Sequence, residues 1–429
     1  MVAGRVVAFF YFLAALFLSR SWLLGQTHYP ADILAAYPLF YDGVQEVRNY
    51  DLMDVVNIFY PQSVYYQDRL SLGALAAWDP YSFAGHSMLS NGHSGFFYPL
   101  RWLTHLALPM PWCHDLFLWL HLGLAGTTLC FLLRSFELSW RSSLFGGAVY
   151  QFNGFTMGWF EHEHVLTYTA WLPLILYLYR AGFRRVAAGQ RAAYWAGAAL
   201  VLGMVGTVGM MQFWAYTLII AAAWGGAHWM ATSPRLPWWQ TSLLPLSWLM
   251  ALAVGAVNAL PILFDLPLSG RHVIPWDYQA EAFREVLAGL PLSLRLPEYA
   301  GNPVGGFHVQ RVGLGGEWIF SETFFYIGLV PLALIPFSWP YRHRLEWRFF
   351  IFFPLVVILV GASPLFSVVH AVLPGFKQTI VTRFLFVLGL SLVVLSSFGL
   401  EYLDEKSERW LKFRTLTAGT VVFLGFVYA

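Results

Sequence analysis

Between Arg5 and Arg20 the sequence reads VVAFFYFLAALFLS, an uncharged run that would be apolar on every side of a helix, and runs of this kind recur along the whole chain. A helix without a polar face must be surrounded by apolar material, either a large protein core or the hydrocarbon of a bilayer. Composition decides between them: 58% of the 429 residues are hydrophobic and 11% are charged, whereas soluble domains carry roughly 25% charged residues. The chain therefore reads as an all-α integral membrane protein, a single polytopic unit over 1–429. A formal net charge of +2 offers no basis for binding nucleic acid.

A spanning helix needs about 20 mostly apolar residues. Such segments fall near 6–25, 115–133, 143–159, 165–180, 193–210, 212–230, 242–264, 322–338, 347–366, 380–400 and 415–429, about eleven in all. The ninth is interrupted at Pro354 and at Ser363-Pro364. The eleventh stops at Ala429 without a polar flank, as expected of a fragment of a longer protein or of a chain that ends abruptly. Around Ser19-Arg20-Ser21 there is no small-residue cleavage site, so the first run reads as a retained helix rather than a secretory signal. Cys113 and Cys130 on one helix would stand about 25 Å apart, too far for a disulfide.

Orientation follows from the basic residues of short loops. Arg134, Arg141, Arg180, Arg184, Arg185, Arg191, Arg235, Arg342, Arg344, Arg348, Lys406, Arg409, Lys412 and Arg414 all fall on one side if the helices alternate. That side, with the amino terminus, is expected to be cytoplasmic. The opposite face then receives two long loops, 26–114 and 265–321, rich in Trp, Tyr, Phe and Leu and therefore expected to fold on the membrane. Within the first, Val64, Leu70 and the apolar stretch Leu72 to Ala77 interleave with Gln67, Asp68 and Arg69, as expected of an interfacial helix.

Several constellations on that face carry chemistry. "DLMDVVNIFYPQ" places Asp51 and Asp54 three apart, on one face of a helix, where a carboxylate near the membrane suits a general base; the plainer reading is that one of the two caps a helix or simply meets water. "WFEHEHVLTY" packs Glu161, His162, Glu163 and His164 into one turn. Mixed carboxylate and imidazole ligands suit a divalent metal such as Mg²⁺, Mn²⁺ or Zn²⁺, and a solvated turn is the competing reading. Gln212 and Tyr216 of "GMMQFWAY" project to the same face, as sugar contacts or as a hairpin tip, and His86, Asn91 and His93 lie in a Gly-rich loop that offers sugar contacts or merely turns. Arg383, about one turn inside the tenth segment, with Lys377 before it, either snorkels or binds an anion; Arg271 and Arg311 of the second long loop are read in the same way.

The ordered set "DVVNIFYPQ", "LSLGALAAWDPYSFAGHSMLSNGHSGFFYPL", "AWLPLILYLYR", "GMMQFWAY", "ALPILFDLPLSGR" and "ETFFYIGLVPLAL" resembles the bacterial YfhO-like membrane protein family, over nearly the whole chain. That resemblance implies a GT-C-type bundle that takes sugar from a polyprenyl-phosphate carrier outside the bacterial cytoplasmic membrane. The acceptor would be a cell-envelope glycan, teichoic acid, lipid or protein. It assigns the catalytic base to Asp54, seven residues before Pro61, and a metal or carrier phosphate to the stretch Glu161 to His164. Where the family carries a two-arginine segment this chain reads "TIVTR", which keeps Arg383 and shows Thr379 and Val381 instead of arginine and proline. The expected reaction is inverting glycosyl transfer. A lipid or polysaccharide transporter and a noncatalytic scaffold are the alternatives, distinguished by whether charge gathers at one edge or near the bilayer midplane.

Overall fold

The computed structural model describes residues 2–37, 47–82, 84–185, 187–232, 236–270, 273–298, 320–373 and 376–406. Arg235, Arg271, Arg311, Arg409, Lys412, Arg414 and the segment 415–429 lie outside these.

The chain is almost wholly helical. After α1 (Val2–Leu23), the first long loop carries a π-helical turn, Val55–Phe59, then α2 (Tyr60–Ser71), a two-stranded hairpin of β1 (Trp78–Asp79) and β2 (His86–Ser87), and α3 (Pro99–Ala107). The bundle continues with α4 (Trp112–Ser135), α5 (Trp140–Gln151), α6 (Gly154–Gly158), α7 (Glu163–Phe183), α8 (Ala188–Val205), α9 (Met211–Thr232), α10 (Trp238–Thr241) and α11 (Leu243–Asp265). Then come α12 (Trp276–Ser293), α13 (Phe320–Thr323), α14 (Leu329–Leu334), α15 (Leu345–Gly361), α16 (Phe366–Val372) and α17 (Phe386–Glu405).

Helices α4, α7 and α17 form the centre. Gly126 of α4 and Gly147 of α5 open a notch that receives the Phe10 ring of α1, so three helices meet where only hydrogen stands in place of a side chain. One face of α11 and much of α1 remain exposed, as surfaces in contact with lipid would be.

The structure corrects the count of spans. Among the described residues, four helical segments are long and apolar enough to cross a bilayer: Ala3–Leu23, Trp112–Ser135, Trp238–Leu268 and Val381–Glu405. A fifth is obtained if α15 and α16, bent by 86°, are taken together. Helices occupy most of the other expected places, but each has a reason to fall short. The segment 143–159 breaks at Asn153, whose Oδ1 accepts the Thr156 N–H and so starts a new helix, α6. The segment 322–338 is reduced to the short apolar helix Leu329–Tyr341. Helices α7, α8 and α9 are dense in Tyr, Trp, Thr, His and Gly, and this lowers their hydropathy. The helix expected around Val64 to Ala77 forms over its first part, as α2, and does not extend through Leu72 to Ala77. Helix α2 ends at Ser71, and Gly73, at φ +66°, turns the chain out of it.

The two ends of the bundle are distinct. At one, Arg184 pairs with Glu137 at 2.5 Å, Arg141 with Asp404 at 2.6 Å and Arg180 with Glu346 at 2.7 Å, and Arg344 donates to the Phe136 carbonyl. At the other, the long loops gather: Gln212 donates to the Ile380 carbonyl, His164 to the His93 carbonyl, and the Ile274 N–H to the Lys377 carbonyl. Basic short loops at one end and long loops at the other is the segregation expected of alternating helices.

Candidate functional site

The loop-bearing end is built around the turn between α6 and α7. Trp159 and His162 pack edge-on at 5.1 Å, and the Arg383 guanidinium lies 5.3 Å from the centre of the Trp159 ring. Arg383 Nε donates to Glu322 Oε1 at 2.7 Å, its Nη2 stands 2.7 Å from the same oxygen, and Nη1 reaches Gln212 Oε1 at 3.4 Å. Gln212 Nε2 in turn donates to the Tyr216 hydroxyl at 2.7 Å, and the Tyr216 ring stacks on Phe384 at 4.3 Å. Gln212, Tyr216 and Arg383, chosen on separate grounds in the sequence, thus form one hydrogen-bonded set. Its organising member, Glu322, was not singled out.

On the other flank, Phe59 at the end of the π-helical turn inserts among three imidazoles, with ring centroids 5.5 Å from His93, 6.1 Å from His162 and 5.1 Å from His164. A carbonyl only accepts, so the 2.6 Å contact with the His93 carbonyl places the His164 proton on Nε2. His164 Nδ1 is then an acceptor, and it is buried without a hydrogen-bond partner. So are His162 Nδ1, Trp159 Nε1 and Ser321 Oγ. Burial and the nearby Arg383 charge push the His162 pKa down to about 3, so that ring is neutral at neutral pH. Burial pushes the Glu161 carboxyl up.

The four residues Glu161 to His164 do not converge. Because α7 begins at Glu163, consecutive side chains leave the axis about 100° apart instead of alternating as on an extended strand. Glu163 turns away from His162 into a separate buried cluster, where His114 Nδ1 lies 2.5 Å from Oε1 and Arg101 pairs with Oε2. Arg101 also donates to Ser63 Oγ at 3.3 Å, and Tyr29 stacks over His114 at 4.2 Å. With Glu163 taken up by two cations or donors and His164 committed at one nitrogen, the turn does not fit the expected divalent metal. Among the described residues no group of three or more His, Cys, Asp or Glu side chains is arranged as a metal site.

No protein-family model matches the chain, and no curated protein was found to match it.

Asp54 stands apart from the cluster. It is exposed, immediately before the π-helical turn, and its side chain makes no capping bond. It directly precedes the short element that ends in Phe59, which ties it to the site through backbone rather than through contact. Asp51 is half-buried in a 3-10 turn (Tyr50–Leu52), where Asn49 Oδ1 accepts its N–H. Lys377 is exposed and contributes its carbonyl rather than its side chain. His86 sits on β2 with Nδ1 3.8 Å from Asp79 Oδ2, and Asn91 Oδ1 accepts the His93 N–H at 3.0 Å. These place His86 in the hairpin and Asn91 in a turn-making role. His93 alone of the three reaches the cluster.

Arg101, His114, Trp159 and Glu322 were not picked out from the sequence. Glu322 left a trace, an acid beside an apolar stretch, and so did Arg101, directly after the "FFYPL" of the first loop. Trp159 is one aromatic among many, and only its neighbours mark it.

Proposed function

We propose that this chain is a multi-pass membrane glycosyltransferase that moves a sugar from a polyprenyl-phosphate donor to an acceptor hydroxyl at the loop-bearing end of its bundle. One observation carries the reading. Arg383 lies over the Trp159 ring, and both the Trp159 indole N–H and Nδ1 of the adjoining His162 are buried without a hydrogen-bond partner. Buried polar atoms are normally satisfied within the protein, so a cation beside two unpartnered polar atoms at a bundle end supports a site for a polar headgroup. Transporter charges tend to lie near the midplane, whereas Trp159 and His162 belong to the turn between α6 and α7.

In this reading the acceptor oxygen attacks the anomeric carbon as the carbon–oxygen bond to phosphate breaks, with inversion. The acceptor's proton goes to Asp54, and polyprenyl phosphate leaves with the bonding pair. Asp54 is preferred over His162 as base because it is open to water and to an arriving acceptor. Arg383 offsets the charge of the leaving phosphate; its guanidinium has five N–H donors, more than Glu322 and Gln212 use. Gln212 and Tyr216 fix its direction. No step is assigned to a metal ion.

The experiment is to incubate purified protein in lipid nanodiscs with polyprenyl-phosphate sugars and to follow loss of donor. Wild-type protein is expected to consume it, Asp54→Asn to lose nearly all turnover, and Arg383→Gln to lose about 100-fold or more, as when one transition-state donor is removed. Movement of an unaltered lipid between leaflets, without consumption, would support the transporter reading instead.

A further inference from the structure

Two short helices at the loop-bearing end have their polarity reversed relative to a helix that faces water. In α3 the side turned toward the bundle is polar: Arg101, Thr104 and His105 are buried, with Arg101 only 4% exposed. The outward side is Trp102, Leu103 and Leu106, and the two leucines are 57% and 62% exposed. Nothing polar is spared for the outside, because Arg101 is spent on Glu163 and Ser63 and His105 Nδ1 donates to the Arg101 carbonyl at 2.9 Å. Helix α16, far along the chain, shares the apolar outward side, while its inward side mixes one aromatic ring with one polar group. Phe366 and His370 face inward, with His370 Nε2 donating to the Ile274 carbonyl at 2.8 Å, while Val368 and Val372 are more than half exposed.

Water is a poor neighbour for such faces, since an exposed leucine or valine forgoes the free energy it would gain in an apolar surrounding. Neither helix can cross a bilayer. The nine residues of α3 extend about 14 Å, under half of a hydrocarbon core of about 30 Å. Their attachments say what covers them. Helix α3 leads within a few residues into α4, one of the apolar spans, and α16 hangs from the end of α15 at 86° to it. With α15 alone entering the bilayer, α16, at nearly a right angle to it, runs along the membrane plane where α15 ends, and the two are then not one continuous span.

We propose that α3 and α16 lie within the leaflet at the loop-bearing end, their outward faces against acyl chains and their inward faces bonded to the bundle. The first loop is then a collar sunk into the membrane rather than a cap above it. The Arg101–Glu163–His114 cluster behind α3 is screened from water by lipid as well as by protein.

Spin labelling tests this on the full chain in nanodiscs. Cys113 and Cys130 are buried and are first replaced by Ala. Nitroxides are then placed singly at L103C, L106C and V368C, with D68C as the reference on the exposed side of α2. Collision with dissolved oxygen is expected to be several-fold higher, and collision with water-soluble nickel chelate several-fold lower, at the three apolar positions than at D68C. Nickel access at L103C and L106C equal to that at D68C would overturn the proposal for α3, and the same result at V368C would overturn it for α16. Spin–spin broadening that disappears on dilution with unlabelled protein would also overturn it, because a second copy would then be the cover. None of these readings depends on glycosyl transfer, so the inference stands or falls apart from the proposed activity.

Discussion

Glu163 shows how a single residue changes meaning with its setting. In the sequence it is one of four ionisable groups in a row; in the fold it is a buried carboxylate held between Arg101 and His114. Breaking such a buried pair from one side leaves an uncompensated charge, which costs roughly 3–5 kcal/mol. Glu163→Gln is therefore expected to lower the melting temperature in detergent sharply. Arg101→Met combined with Glu163→Gln should recover part of the loss, giving a clear non-additivity in a double-mutant cycle. His162 predicts a pH dependence of opposite origin. Its folded pKa, about 3, lies below the roughly 6.5 of an unfolded histidine. Between those values the unfolded chain holds more protons, so stability falls as pH drops through about 6.5 toward 3 and is unaffected above that window. Melting curves of the wild type and of His162→Asn between pH 4 and 7, values chosen to sample about that window, should show a shallower slope in the variant. The candidate site was legible in those residues that interrupt apolar runs, Gln212, Tyr216 and Arg383, because polar groups there need a reason. Glu322 and Trp159 were not legible, since an acid at a segment edge and one more aromatic are ordinary until their neighbours are known.

At the scale of elements, the helices lie close to where hydrophobic runs placed them, and their breaks lie where side chains compete with the backbone. Asn153 ends one helix by capping the next. Gly209 and Met210, at φ +101° and +52°, turn the chain between α8 and α9. Contacts between elements rest on a few small residues. A Cβ at Gly147 would meet the Phe10 ring and stand 2.7 Å from the Gly126 carbonyl oxygen. Gly147→Ala is expected to push α1 from its seat at a cost of about 1–3 kcal/mol. Phe10→Leu in the same chain should relieve part of that cost; equal losses with and without the smaller ring would refute the notch as the cause. Thermal unfolding of the three variants reads this directly.

For the whole molecule, the separation of ion-paired short loops from long aromatic loops predicts opposite exposure of the two ends across a membrane. In cells, Asp68→Cys should react with a membrane-impermeant maleimide without permeabilisation, and Lys406→Cys only after it, with Cys113 and Cys130 removed. Reaction of both from the same side would refute alternating helices. Apolar runs and the paucity of charge were enough to specify a mostly helical chain with several helices apolar enough to cross a membrane and loops of unequal length at its two ends, because hydrocarbon imposes its demands locally, run by run. The number of spans, the dispersal of Glu161 to His164, the union of Arg383 with Glu322 and Gln212, and the exposure of Asp54 were settled only by packing. Side chains far apart in sequence become neighbours through the crossing of helices, and a run of letters carries no record of that crossing.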